Sequence, residues 1–122
     1  MKNLEQVRAF NALEAVKQGG FSRKDINGIP ALVQSCGLLA TAAFVSTGQK
    51  ARDGMWKAMD AVARHLRDPL VGPRLTMPPS QVANETKAML RELAEKQSSA
   101  LIAATTETIA FLSYLKRFAP KP

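Results

Sequence analysis

IPALVQSCGLLATAAF, residues Ile29 to Phe44, is the stretch whose reading decides the fold. Pro30 stands where a helix begins, because its ring pre-sets φ and its missing N–H is unpaired there in any case. Ile29, Leu32, Val33, Cys36, Leu39 and Ala43 then fall on one stripe at helical spacing. Leu38, Ala42 and Val45 add a second apolar side, so the pattern predicts a core helix covered from more than one direction. The helix is expected from about Pro30 to Thr47, with Gly48 as its C-terminal cap. Gly37 in its middle costs about 1 kcal/mol relative to Ala, and close packing against a neighbouring helix is the expected compensation.

Upstream, Asn3 and Gln6 have the spacing of a capping box. Leu4, Val7, Phe10, Leu13 and Val16 give the following helix its apolar face, and Gly19-Gly20 stops it. Ser22 with Asp25 caps a short helix through Ile26 that ends at Asn27-Gly28. Downstream, a helix from about Lys50 to Arg67 carries the stripe Met55, Met59, Val62, Leu66, with Trp56 at its edge. Asp68-Pro69 ends it, since the residue before proline is pushed out of the α region. Residues 69–80, PLVGPRLTMPPS, form a Pro-rich loop. Ser80 is the expected N-cap of a fifth helix with Val82, Thr86, Met89, Leu90 and Leu93 on one face and a Glu92–Lys96 pair on another. The pattern weakens at Gln97-Ser98-Ser99 and resumes through Leu101, Thr105, Ile109, Leu112 and Leu115, so 81–118 reads as one helix or two. No strand-like alternation interrupts this. The expectation is an all-α bundle of five or six helices in a single domain, residues 1–122.

Seventeen Lys+Arg against ten Asp+Glu leave a formal net charge of +7, which suggests a polyanionic partner. The one cysteine, Cys36, rules out an internal disulfide and fits a reducing compartment; inside the apolar stripe it is expected to be a small buried hydrophobe. The opening MKNLEQVRAF has no signal-peptide core, and Leu38 to Val45 falls far short of the ~20 apolar residues of a membrane span. A soluble, cytoplasmic protein without membrane contact is expected.

Catalytic signals are poor. The lone histidine, His65, sits between Arg64 and Leu66 and reads as a surface residue rather than a general base. No cluster has metal-ligand spacing, and Gly19-Gly20 lacks the Gly-Lys-Ser/Thr of a phosphate loop, so neither metal nor cofactor is expected. Asp53, Asp60, Glu92, Glu95 and Glu107 read as acids solvated on helix surfaces. Binding is better supported. Lys50, Lys57 and Arg64 recur every seven residues, so they share a helix face at intervals of roughly 10 Å, a spacing that can follow phosphates without reading bases. Arg52 and Arg67 would extend this field, and Lys24, the pair Lys87 and Arg91, and the pair Lys116 and Arg117 are further cations. A solvated polar face has the same pattern. Without a base-stacking platform, the expected contact is electrostatic and salt-sensitive.

The string Leu112-Ser113-Tyr114-Leu115-Lys116-Arg117-Phe118-Ala119 resembles the C-terminal signature of the small subunit of type III-B CRISPR RNA-silencing (Cmr) complexes, an aromatic followed by Leu-Lys-Arg-Phe-Ala. Ile29-Pro30, Gly37-Leu38 and Ala43-Phe44 are similar to the Leu-Pro, Gly-Leu and Ala-Phe pattern of that family, and Asn3-Leu4-Glu5-Gln6 fits its opening helix. Tyr114 stands in place of the usual Trp, and residues 50–100 match only in helical character. The resemblance implies a non-catalytic helical subunit whose copies stack as a filament beside other Cmr subunits. That filament lines the groove where target RNA pairs with guide RNA, and another subunit cleaves. By position, Lys116 and Arg117 match the signature. The RNA-contacting residues expected are therefore Lys50, Lys57 and Arg64, with Lys24, Lys116 and Arg117 beside them. The competing reading is a free-standing helical regulator or adaptor that binds DNA or an acidic protein, which leaves the C-terminal signature unexplained.

Overall fold

The chain enters its first helix through a reciprocal cap: Asn3 Oδ1 accepts the Gln6 N–H at 2.9 Å, and Gln6 Oε1 accepts the Asn3 N–H at 2.9 Å. The computed structural model describes residues 3–46, 52–71, 86–95 and 98–121, and every regular element among them is a helix. In order these are α1 (Leu4–Gln18), α2 (Arg23–Asn27), α3 (Ile29–Cys36), α4 (Leu38–Val45), α5 (Asp53–Leu66), α6 (Thr86–Glu95) and α7 (Ser98–Phe118). The all-α bundle read from the sequence is thus found, with the expected central helix divided in two.

The division falls at Gly37. The central stretch does not form one continuous helix, because Gly37 adopts φ +91° and ψ 159°, a region essentially closed to residues with a Cβ. The break leaves no orphan group on that residue: its N–H donates to Val33 O at 2.9 Å, while its carbonyl accepts Thr41 N–H at 3.1 Å and Thr41 Oγ1–H at 2.8 Å. The turn re-aims the second half, so the buried set is Ile29 and Val33 in α3, then Leu38, Thr41, Ala42 and Val45 in α4. Cys36, expected inside, is exposed at the end of α3. Thr47, Gly48 and Lys50, residues 72–85 with most of the expected Pro-rich loop and with Ser80 and Val82, and Lys96 and Gln97 lie outside the described residues.

α1 and α7 run antiparallel, since Glu5 meets Tyr114 and Arg8 meets Glu107. α5 packs against both, α2 bridges α5 and α7, and α4 touches α5 and α6. The face that α1 turns inward keeps Leu4, Val7 and Val16 of the expected stripe against the core but not Phe10 and Leu13. Val7, Ala12 and Ala15 are buried, whereas Phe10 and Leu13 are 51% and 52% exposed. The reason is polar. α1 is rotated so that Arg8 and Asn11 reach the interior, and the small Ala12 and Ala15 let it approach closely.

What Arg8 reaches is Glu107, 3% exposed on α7 and not the solvated acid expected there. Arg8 grips its carboxylate with two prongs, Nε to Oε2 at 2.8 Å and Nη2 to Oε1 at 2.7 Å. His65 on α5, read as a surface residue, is 1% exposed and places Nε2 2.8 Å from the same Oε2. Its ring stacks on Phe111 with centroids 4.1 Å apart. Asn11 Nδ2 lies 2.9 Å from both His65 Nδ1 and Asp68 Oδ2. A nitrogen that donates to a carboxylate is the amide NH2, so Nδ1 accepts and Nε2–H donates to Glu107. Burial pushes the Glu107 carboxyl up, but the hydrogen bonds from Arg8 and His65 outweigh it and hold the group down at about 2.

Two predictions follow from this arrangement. Gly37→Ala should cost about 1–3 kcal/mol through backbone strain alone, because no side chain lies within 4 Å of the added Cβ. Gly28→Ala, at φ −85° and equally uncrowded, should be neutral or stabilising by up to about 1 kcal/mol. Urea denaturation of both variants checks this, and equal effects would contradict it. For Glu107, a folded pKa below the unfolded value means stability that is present above about pH 4.5 and lost as pH falls toward 2. Glu107→Gln should therefore cost about 3–5 kcal/mol near neutrality, with the gap to the parent closing across that acid window. A gap independent of pH, followed by thermal melts, would refute the pairing.

Candidate nucleic-acid interface

Lys57 and Arg64 are seven residues apart on α5, so about 10 Å along its axis, and both are exposed while Met59, Val62 and Leu66 face the core. They border a shallow depression with Gln18, Gly19 and Gly20, where α1 ends. Gly20 has φ +96°, and a Cβ there would stand 2.5 Å from Lys57 Cδ, so the lysine stem lies across bare backbone. On the same helix Gly54 admits α2: a Cβ on it would overlap the Asp25 carboxyl, which accepts the Ser22 N–H at 2.8 Å to start α2. Asp60, read as a solvated surface acid, lines the same depression and accepts Thr86 N–H at 2.9 Å and Thr86 Oγ1–H at 2.6 Å, and so ties α5 to α6.

Three residues beyond Gly20, at most about 11 Å along the chain, comes Arg23. Its guanidinium reaches the far end of α7, with Nε on Lys116 O at 3.1 Å and Nη2 on Ala119 O at 3.4 Å and Arg117 O at 3.5 Å. Its own N–H donates to Pro120 O at 2.9 Å. Lys116 and Arg117 are exposed there and, with Ser113 and Arg23, line a second open depression. Lys24, next in sequence, is also exposed. Two cationic groups result, Lys57 and Arg64 beside Gly20 and Lys116 and Arg117 at the end of α7, with α2 and its Arg23 packed between α5 and α7; together they are termed the basic belt.

Five of the six expected contact residues, Lys24, Lys57, Arg64, Lys116 and Arg117, are exposed, and Lys50 lies outside the described residues. The C-terminal signature divides its labour by helical phase. Leu112, Leu115 and Ala119 are buried, Tyr114 Oη donates to Glu5 Oε1 at 3.2 Å, and Lys116 and Arg117 point out. Two arginines expected to extend the field do not. Arg67 is buried and pairs with Glu92 at 2.7 Å, and Arg52 lies 3.9 Å over the Phe44 ring while donating to Phe44 O. Lys87 sits 5.4 Å over the Trp56 ring, and with Arg91 it shares its depression with Glu92 and Glu95, so the field on α6 is mixed.

Sequence reasoning missed Arg23. The Arg23-Lys24 pair after Gly19-Gly20 was a visible signal, but its partners lie 93 to 96 residues away. The buried group of Arg8, Asn11, His65, Asp68 and Glu107 was missed for the same reason. His65 presents no nitrogen to solvent, since Nδ1 faces Asn11 and Nε2 faces Glu107. Among the described residues no three His, Cys, Asp or Glu gather as metal ligands, and no helix is long and apolar enough to cross a membrane.

A family model described as CRISPR-associated protein (Cas_Cmr5) matches residues 4–121. No curated protein and no solved structure matches the chain.

Proposed function

The chain belongs to the Cas_Cmr5 family, the small subunit of type III-B Cmr complexes, and from that premise we propose that it acts as a non-catalytic RNA-contacting subunit in antiviral defence. Copies stack as a filament beside the other Cmr subunits in the cytoplasm, and the belt faces the guide and target RNA. One observation carries the reading: Lys24, Lys57, Arg64, Lys116 and Arg117 are all exposed, Lys57 and Arg64 at one depression and Lys116 and Arg117 at another, whereas Arg52 and Arg67 are engaged within the fold. Phosphates are the ligand that such cations suit, because flexible point charges, two of them about 10 Å apart on α5, position a backbone and carry no base readout.

Neutralising Lys57, Arg64, Lys116 and Arg117 together to Gln tests this in the assembled complex. Each lost phosphate contact on a single strand lowers the slope of log K against log salt by about 0.7, so four should flatten it by about 3. Target-RNA affinity should fall at least about tenfold near 0.1 M salt, while Lys87→Gln/Arg91→Gln on the mixed α6 face leaves it unchanged. An intact complex with the parental affinity and slope would overturn the proposal, as would co-purification with duplex DNA in place of RNA.

A further inference from the structure

We infer that Arg23 is a positioning residue that makes the end of α7 able to receive a phosphate, an inference that rests on the RNA-contact reading above. The C-terminus of a helix carries a partial charge of about −0.5 and exposes carbonyl oxygens. An anion is repelled there, and nearby cations tend to fold back onto the carbonyls. Lys116 and Arg117, both in the last turn of α7, are in that position. Arg23 relieves both effects from another element. It covers the carbonyls of Lys116, Arg117 and Ala119 with its guanidinium, and its backbone N–H takes Pro120 O. Leu115 O, in the same last turn, accepts Ala119 N–H at 2.9 Å. With a fixed positive charge over the helix end, the side chains of Lys116 and Arg117 extend into solvent beside Ser113. Arg23 thereby contributes to RNA contact through charge placed beneath the residues that touch it. The capping box of Ser22 and Asp25 and the close seat of Asp25 against Gly54 hold α2, and hence Arg23, in register between α5 and α7.

The test separates charge from hydrogen bonding with two substitutions in the assembled complex, using a labelled target RNA over a salt series. Arg23→Gln retains a donor without charge, and it should weaken RNA binding about two- to fivefold at low salt. Arg23→Lys restores the charge without the guanidinium fork and should bind within about twofold of the parent. Combined with Lys116→Gln/Arg117→Gln, Arg23→Gln should add little, because the residues it serves are gone. Should Arg23→Gln fail to fold, Arg23→Lys alone decides: a loss as large as that of the Lys116/Arg117 double variant would overturn the inference. Unchanged affinity in Arg23→Gln with a clear loss in the double variant would overturn the role of Arg23 and leave the belt standing. Unchanged affinity in both would remove the α7 end from the belt and the inference with it.

Discussion

The Glu107 carboxylate, closed off from water and held by Arg8 and His65, is the constraint on which the rest of the structure depends. It joins α1, α5 and α7 at one point, with Asn11 linking His65 to Asp68 just past the end of α5. An ion pair of this kind is weak evidence for net stability, since desolvation offsets most of the attraction. Its effect on register is stronger. Any slide or rotation of these three helices strands a buried carboxylate, at a cost of several kcal/mol. Apolar contacts alone would tolerate such slides far better, because burial of hydrocarbon has no direction. The exposed Phe10 and Leu13 on α1 show which requirement prevails.

That register places the basic belt. Lys57 and Arg64 are on the helix that carries His65, and Lys116 and Arg117 are on the helix that carries Glu107. Fixing α5 against α7 therefore sets the separation between the two charged groups, and α2 bridges them through Arg23. Small residues permit the close approach: Gly20 under Lys57 and Gly54 against Asp25. The surface groups are cationic, and the Glu107 cluster that aligns the helices carrying them is polar.

The fold was legible in the sequence where periodicity and caps are local. Asn3 with Gln6, Ser22 with Asp25, and the α5 stripe Met59, Val62, Leu66 all appear as read. The C-terminal signature pointed to the family, and the helical phase of Lys116 and Arg117 against Leu112 and Leu115 agrees with display and packing on opposite sides. The failures have a shared cause. Gly37 reads locally as a tolerated helix interior closely packed on a neighbour, whereas it takes a positive φ with nothing within 4 Å of an added Cβ. Phe10 and Leu13 were assigned inward on hydrophobicity, since nothing local says that Arg8 has a buried partner 99 residues away. His65 looked solvated beside Arg64, yet a helix turns one neighbour out and the next one in.

Lysine footprinting of the assembled complex with and without target RNA tests the central claim most directly. Acylation rates of Lys24, Lys57 and Lys116 should drop severalfold when RNA binds, while Lys87, over Trp56 on the mixed face of α6, keeps its rate. Protection of Lys87 with unchanged rates at Lys57 and Lys116 would place the RNA on another surface and contradict the belt.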